Sequence, residues 1–201
     1  MHRPYLYLSS ADAQLSLGFG ESRPRESLFF ALMPPPEIAG RAEAMAQSLI
    51  ARGGRQHRPI AADRLHVTLY FLGHFPGLPA TVLENARQVG DRVSTPSFDL
   101  SLDRVGGWGG ARDRQPCVLT GEGAGVAGVH ALHQRLGERL VRQDPGSASQ
   151  AFTPHMTLFY GPTAPTGESI EPLQWHVDAL WLLRSVAGRA RYQVEGRWPL
   201  P

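Results

Sequence analysis

The stretch LHVTLYFLG, residues 65–73, is an apolar run that contains one histidine and one threonine, His66 and Thr68. Its β-branched and aromatic residues predict a strand. Because successive side chains of a strand point to opposite faces of the sheet, regular alternation places this polar pair on one face and the apolar residues on the other. The two predicted faces are His66, Thr68 and Tyr70, and Val67, Leu69 and Phe71.

A second stretch, PHMTLFYGP at residues 154–162, has the same arrangement, with His155 and Thr157 in an apolar frame. Regular alternation here groups His155, Thr157 and Phe159 opposite Met156 and Leu158. A single His-x-Thr in a strand indicates little, because threonine is a common strand residue. Two copies in matching frames favour a functional interpretation, in which the two pairs face each other across a cleft.

Two facing imidazoles suit displacement at phosphorus. Near their usual pKa of about 6.5, one neutral histidine can accept a proton from the incoming oxygen while a protonated one donates to the leaving oxygen. Hydroxyls such as those of Thr68 and Thr157 can donate to non-bridging phosphoryl oxygens, where charge develops. The residues predicted to carry the chemistry are therefore His66 and His155, with Thr68 and Thr157 binding the substrate.

The rest of the chain mixes helices and strands without strict alternation, which predicts an α+β fold. Each His-x-Thr strand follows a helix and a loop, so we expect two similar lobes that each give one strand to a shared centre. Residues 1–26 lack a sustained period and are interpreted as an N-terminal extension, which leaves 27–201 as one folded unit. Besides the two motif strands, we predict helices at 36–52, 80–93 and 125–143, single strands at 27–33, 97–103 and 116–121, and a final strand pair at 173–185 and 190–200.

Composition limits the class of protein. With 201 residues and 42% hydrophobic content the chain can bury a substantial core, and it contains no apolar run long enough to cross a membrane. One cysteine, Cys117, excludes an internal disulfide and fits a reducing compartment, so we expect a cytoplasmic protein. The net charge is +2, and all twenty basic residues are arginine, a bias that reflects composition more readily than nucleic-acid binding.

The paired motifs resemble those of the two-histidine (2H) phosphoesterase superfamily, and within it the bacterial RNA 2′,3′-cyclic phosphodiesterases, also called 2′-5′ RNA ligases. The hallmark of that family is a pair of His-x-Thr-x tetrapeptides, matched here at 66–69 and 155–158. SLFFALMPPPEI at 27–38 resembles the first strand and turn of the family, and RYQVEGRWPL at 191–200 its closing strand. The resemblance extends from Ser27 to the C-terminus.

The resemblance implies a bilobal, pseudo-symmetric α+β fold, with antiparallel sheets and flanking helices around a central cleft. It implies hydrolysis of RNA 2′,3′-cyclic phosphate ends, such as those of tRNA fragments, to 2′-phosphates, with ATP-independent 2′-5′ joining in some members. In the usual assignment His66 donates the proton and His155 accepts one, without metal or cofactor, and we expect a monomer. The alternatives are a phosphoesterase for small cyclic nucleotides or ADP-ribose cyclic phosphate, and a non-catalytic RNA-binding module.

The chain departs from the family near the second motif. Many members carry arginine where this chain has Tyr160, and His or Arg where it has Thr153. The candidates to take over phosphate contacts are Arg64, Arg112, Arg114 and Arg184.

Three other features have simpler interpretations. His130 and His133 are spaced for one helix face, which we expect to be exposed rather than metal-binding. Cys117 lies in an apolar strand and is predicted to be a buried structural thiol. Trp108, in the glycine-rich turn 106–115, either stacks on a base or covers the core.

Overall fold

Within the part of the chain that the structure describes, eight strands form one antiparallel sheet, with the two motif strands side by side at its centre. The structure is a computed structural model that describes residues 24–53, 57–107, 114–143, 152–161 and 167–201. The strands are β1 (Arg25–Leu32), β2 (Val67–Pro76), β3 (Phe98–Gly107), β4 (Gln115–Thr120), β5 (His155–Gly161), β6 (Glu168–Val177), β7 (Ala179–Val186) and β8 (Gln193–Pro199). Their order in the sheet is β6-β3-β4-β5-β2-β1-β7-β8.

The α-helices of the described ranges lie against one face of this sheet: α1 (Pro36–Arg52), α2 (Ala80–Asp91) and α3 (Ala127–Gln143). The prolines that end the first strand also start α1, since Pro36 occupies a first-turn position where no N–H is needed. The apolar stripes of the helices and the inward side chains of the strands form one continuous core. Its fully buried members include Phe30, Leu65, Leu132 and Met156.

The chain repeats a strand–helix–strand unit, first as β1–α1–β2 and then as β4–α3–β5. The helix of each unit packs against the last strand of the other unit: α1 packs against β5, and also against β6, whereas α3 packs against β2, and also against β3. The predicted α+β architecture of two similar halves that share a centre is therefore confirmed.

The opposite face of the sheet carries a small cluster of buried apolar residues, formed by Phe29, Ala31 and Leu183. Met33, Trp181 and Tyr192 pack against this cluster, and none of the hydrophobic residues described as packing there belongs to a helix. We call this side the open face.

The predicted final strand pair is present as the antiparallel pair of β7 and β8, but the bounds predicted for its first member were wrong. Residues 173–185 form parts of two strands, β6 at one edge of the sheet and β7 in the other half, with Asp178 alone between them. In a flat sheet these strands would be about 29 Å apart, at about 4.8 Å for each of six spacings. Because a single residue joins them, the sheet must curve strongly.

The predicted bounds of α1 are confirmed, and β1 begins at Arg25, two residues before the predicted start. The helix predicted at 125–143 is a short 3₁₀ turn at 123–126 followed by α3. Residues 1–23, most of the predicted extension, lie outside the described residues, so the extension stays a prediction.

Candidate active site

The two His-x-Thr motifs meet at the seam between β2 and β5. Val67 lies opposite Met156 in this antiparallel pair, and both side chains are buried in the core. The register therefore places His66 across from Thr157 and Thr68 across from His155, all on the open face. We call these four residues the His/Thr quartet: His66, Thr68, His155 and Thr157.

A β-bulge follows each motif at its final leucine. Ala31 pairs with Thr68 and Phe30 pairs with Tyr70, so Leu69 is an extra residue on β2. In the same way, Val118 pairs with Thr157 and Cys117 with Phe159, which makes Leu158 an extra residue on β5. A bulge of one residue exchanges the faces of all the side chains beyond it.

The bulges overturn part of the predicted face pattern. Tyr70 and Phe159 do not share a face with the histidines, because both turn to the helix side of the sheet, where Tyr70 stacks on His133 and Phe159 on His57. Phe71 turns to the open face instead and is 52% exposed. Tyr160 does the same on β5, at 45% exposed.

His66 sits in a largely apolar environment on the open face. Its ring lies 5.0 Å from that of Phe29 and meets Tyr192 edge-on at 5.4 Å between centroids. Its Nδ1–H donates to the carbonyl of Arg64 at 2.7 Å, since a carbonyl can only accept. Nε2 is thus the ring nitrogen left for chemistry.

Burial lowers the pKa of His66 to about 4, because the charged form loses water. The hydrogen bond to the Arg64 carbonyl opposes this fall in pKa, whereas the nearby charges of His155 and Arg64 add to it. His66 is therefore neutral near pH 7 in the unliganded protein, with a lone pair on Nε2.

His155 is held in the same way as His66. Its Nδ1–H donates to the carbonyl of Thr153 at 2.8 Å, two residues before it, as Arg64 is two residues before His66. This bond uses the backbone of Thr153, so the departure from the family at that side chain leaves the histidine's orientation intact. On its β4 side His155 lies opposite Thr120.

Four arginines were candidates for phosphate contacts, and the structure separates them. Arg64 stands beside the quartet, with its guanidinium carbon 4.7 Å from the centre of the Tyr192 ring. Arg114 lies over the exposed ring of Tyr160 at 5.2 Å. Arg184 does not reach the open face, and Arg112 lies outside the described residues.

Arg184 belongs to an ion-pair network on the helix side. It donates to Glu26 at 2.7 Å and to Glu195 at 3.4 Å, and Arg87 donates to Glu195 at 2.9 Å. Glu26 is almost fully buried and also accepts the backbone N–H of Leu78. Arg184 is therefore a structural residue, and its candidacy for phosphate binding is withdrawn.

The other sequence candidates lie away from the quartet. His133 is 9% exposed, stacked between Tyr70 and Phe152, so the prediction of an exposed face was wrong for this residue although His130 is exposed. Cys117 is buried as predicted, and burial raises the pKa of its thiol to about 12. Trp108 lies outside the described residues.

Sequence reasoning missed Phe29 and Tyr192, which enclose the His66 ring. Phe29 is one of two adjacent phenylalanines in a strand and Tyr192 lies in a loop, so no periodic signal distinguishes them. It also missed the pairing of Arg114 with Tyr160. Among the described residues, no group of three or more His, Cys, Asp or Glu side chains is placed to hold a metal ion.

Comparisons with known proteins identify the family of this chain. The family model of the 2′-5′ RNA ligase superfamily matches residues 34–189. The chain belongs to the 2′-5′ RNA ligase superfamily. These proteins are 2H phosphoesterases, as the paired motifs predicted.

Relatives of this superfamily match along most of the chain. The RNA 2′,3′-cyclic phosphodiesterase of Escherichia coli strain K12 is 29% identical over 181 residues, which cover 87% of this chain and 97% of that protein. The crystal structure of E. coli LigT complexed with 3′-AMP superposes with a TM-score of 0.69 at 29% identity, covering 88% of this chain and 98% of LigT. The structure of LigT complexed with phosphate gives a TM-score of 0.68 at 30% identity, covering 89% and 99%.

The family assignment supports a phosphoesterase that is a hydrolase of the cyclic phosphodiesterase type. No helix in the described ranges is both long and apolar enough to cross a membrane.

Proposed function

We propose that this protein hydrolyses RNA 2′,3′-cyclic phosphate ends to 2′-phosphate ends by two-histidine acid–base catalysis. The observation that carries the proposal is the register at the β2–β5 seam, which sets each histidine across from the threonine of the other motif. Both Nδ1 atoms are engaged by backbone carbonyls, so in the proposed reaction the Nε2 atoms are the ring nitrogens that face the phosphate.

In the proposed reaction, Nε2 of His155 takes a proton from a water molecule as its oxygen attacks phosphorus. The bond between phosphorus and O3′ breaks, and Nε2–H of His66 protonates the departing oxygen, so that the phosphate stays on O2′. The hydroxyls of Thr68 and Thr157 donate to the non-bridging oxygens, where negative charge develops.

This assignment requires His66 to be protonated when substrate is bound, although it is neutral in the unliganded protein near pH 7. An anionic phosphodiester beside Nε2 favours the imidazolium form and raises the pKa of the ring. Binding of the substrate is thus coupled to uptake of the proton that O3′ later receives.

Joining of RNA ends follows from the same geometry. A 5′-hydroxyl in place of water would attack the same phosphorus and expel the same O3′, leaving a 2′-5′ linkage. We therefore propose reversible, ATP-independent 2′-5′ joining as a second outcome, with hydrolysis favoured because water is abundant. We further propose that the enzyme acts as a monomer, in the cytoplasm, and without metal.

The test is incubation with an RNA oligonucleotide that ends in a 2′,3′-cyclic phosphate, with the product ends resolved by phosphatase sensitivity and mass. We expect a 2′-phosphate end, formed equally well in the presence of a chelator. A predominant 3′-phosphate end would show that the two histidine roles, or the orientation of the substrate between them, are reversed. Parallel incubations with a small cyclic nucleotide and with ADP-ribose 1″,2″-cyclic phosphate test the rival substrates, and failure of all three would favour an RNA-binding module.

A further inference from the structure

Tyr160 is a half-exposed aromatic residue on the open face, in the motif strand that carries His155. Its partner on the neighbouring strand β4 is Pro116. The guanidinium carbon of Arg114, two residues before Pro116, lies over the Tyr160 ring at 5.2 Å from its centre. Planar guanidinium groups stack on aromatic faces in this way while keeping their N–H donors in the ring plane available.

The position of this pair relative to the quartet follows from the strand register. Three register steps separate Met156 at the seam from Tyr160, counted on β4 from Leu119 to Pro116. At about 3.4 Å for each step, Tyr160 lies about 10 Å along the strand from Met156 and its partner Val67. A nucleotide whose phosphate lies in the quartet can reach that distance.

Arg114 is also available for an anion. The described part of the chain offers it no carboxylate partner, whereas Arg104 pairs with Glu122 and Arg191 with Asp63. A cation without a partner beside an exposed ring offers a phosphate contact and a base-stacking surface together. The two residues are otherwise unused by the proposed mechanism.

We propose that Arg114 and Tyr160 form a nucleotide-binding subsite for the RNA that flanks the reacting phosphate. Tyr160 stacks on a base and Arg114 binds a phosphate of the chain, so that the enzyme selects RNA over cyclic phosphates that lack a base. This inference rests on the proposed function, since it takes the quartet as the place where the phosphate reacts.

The experiment compares three substrates: an RNA oligonucleotide with a 2′,3′-cyclic phosphate end, the corresponding mononucleotide, and abasic ribose 2′,3′-cyclic phosphate. The variants are Tyr160→Ala, Tyr160→Phe and Arg114→Gln. The matched control is Arg41→Gln, an exposed arginine of α1 on the helix side of the sheet. The measured quantity is the ratio of kcat/KM for RNA to kcat/KM for the abasic substrate.

We expect this ratio to fall about tenfold in Tyr160→Ala, within the range measured for loss of one base–aromatic stack. Tyr160→Phe and Arg41→Gln should keep the ratio of the unmodified protein. Arg114→Gln should lower RNA affinity and make the slope of log affinity against log salt shallower by about 0.7, as for one lost phosphate contact to a single strand. If Tyr160→Ala also lowers kcat/KM for the mononucleotide, Tyr160 stacks on the terminal base. If it lowers kcat/KM for the oligonucleotide alone, Tyr160 stacks on the neighbouring base.

The inference is overturned if Tyr160→Ala changes the three substrates equally or changes none of them. A binding measurement separates its failure from that of the proposed function: fluorescence anisotropy of a labelled RNA that ends in a 2′-phosphate. If the unmodified protein hydrolyses no cyclic phosphate, the proposed function fails, and the subsite stands only if Tyr160→Ala still weakens this RNA complex. Equal affinities would then reject the subsite as well.

Discussion

At the scale of single residues, the proposed chemistry depends on two imidazoles, each oriented by the backbone carbonyl two residues before it. We expect His66→Ala and His155→Ala each to lower turnover by about 10²–10⁴-fold, the usual contribution of a general acid or base. The measurement is kcat on a cyclic-phosphate RNA, with circular dichroism to show that both variants are folded. Near-normal turnover in a folded His155→Ala variant would reject the two-histidine mechanism.

The threonines of the quartet allow a test that preserves side-chain shape. Thr68→Val and Thr157→Val remove a hydroxyl without changing the strand, and loss of such a donor costs up to about 2.7–4 kcal/mol of transition-state stabilisation. We therefore expect kcat to fall while the midpoint of urea unfolding stays nearly constant. Full activity in both variants would leave these residues as strand formers only.

The low pKa of His66 is itself measurable. In the unliganded protein its ring should titrate near pH 4 in NMR spectra, because the site beneath Phe29 and Tyr192 disfavours the charged form. Added inorganic phosphate should shift this titration to higher pH, since an anion favours the imidazolium. A His66 ring that titrates near 6.5 with and without phosphate would contradict the environment described above.

At the scale of elements, the strand containing each motif was predictable, but the faces were predictable only up to the bulge. The alternation in LHVTLYFLG assumes a regular pleat, and nothing in the composition of the stretch marks Leu69 as the extra residue. Phe71 and Tyr160 thus reach the open face against the pattern. The break at Asp178 was hidden for a similar reason, because apolar residues continue on both sides of it without a glycine or proline.

Two helical glycines give a matched pair of variants. Gly40 in α1 has open space where a Cβ would stand, whereas at Gly90 in α2 the Cβ would overlap the ring of Trp198. Gly40→Ala should stabilise the protein by about 0.5–1 kcal/mol, because alanine loses less backbone entropy in a helix. Gly90→Ala should instead destabilise it by about 1–3 kcal/mol through overpacking.

Urea unfolding of both alanine variants measures this difference. Equal stabilisation by the two substitutions would show that α2 and β8 are not packed as closely as the ring contact indicates.

At the scale of the whole molecule, the network of Glu26, Arg184, Glu195 and Arg87 ties the first strand to the last two strands and to α2. Removal of one partner leaves a buried carboxylate without its cation, so Arg184→Met should lower the free energy of unfolding by about 3 kcal/mol. Arg41→Gln, which loses only the exposed pair with Glu171, should change it by less than about 1 kcal/mol.

The same network predicts a dependence of stability on pH. The hydrogen bond that Arg184 donates to Glu26 holds the pKa of this carboxyl group below the usual 4.5. The unfolded chain therefore binds this proton first, and the stabilisation present above pH 4.5 is lost as the pH falls through the lowered pKa. Urea unfolding at a series of pH values should show the deficit of Arg184→Met shrinking in this acid range, and a deficit independent of pH would contradict the role of Glu26.

The place of β1 in the sheet has a consequence for protein synthesis. This strand is flanked by β2, which leaves the ribosome soon after it, and by β7, which is translated only after β2 to β6. One hydrogen-bonding edge of β1 therefore stays open while most of the chain is made, and open strand edges are templates for association with other chains. The nascent protein depends on the later translation of β7 both to close this edge and to complete the face on which the proposed reaction takes place.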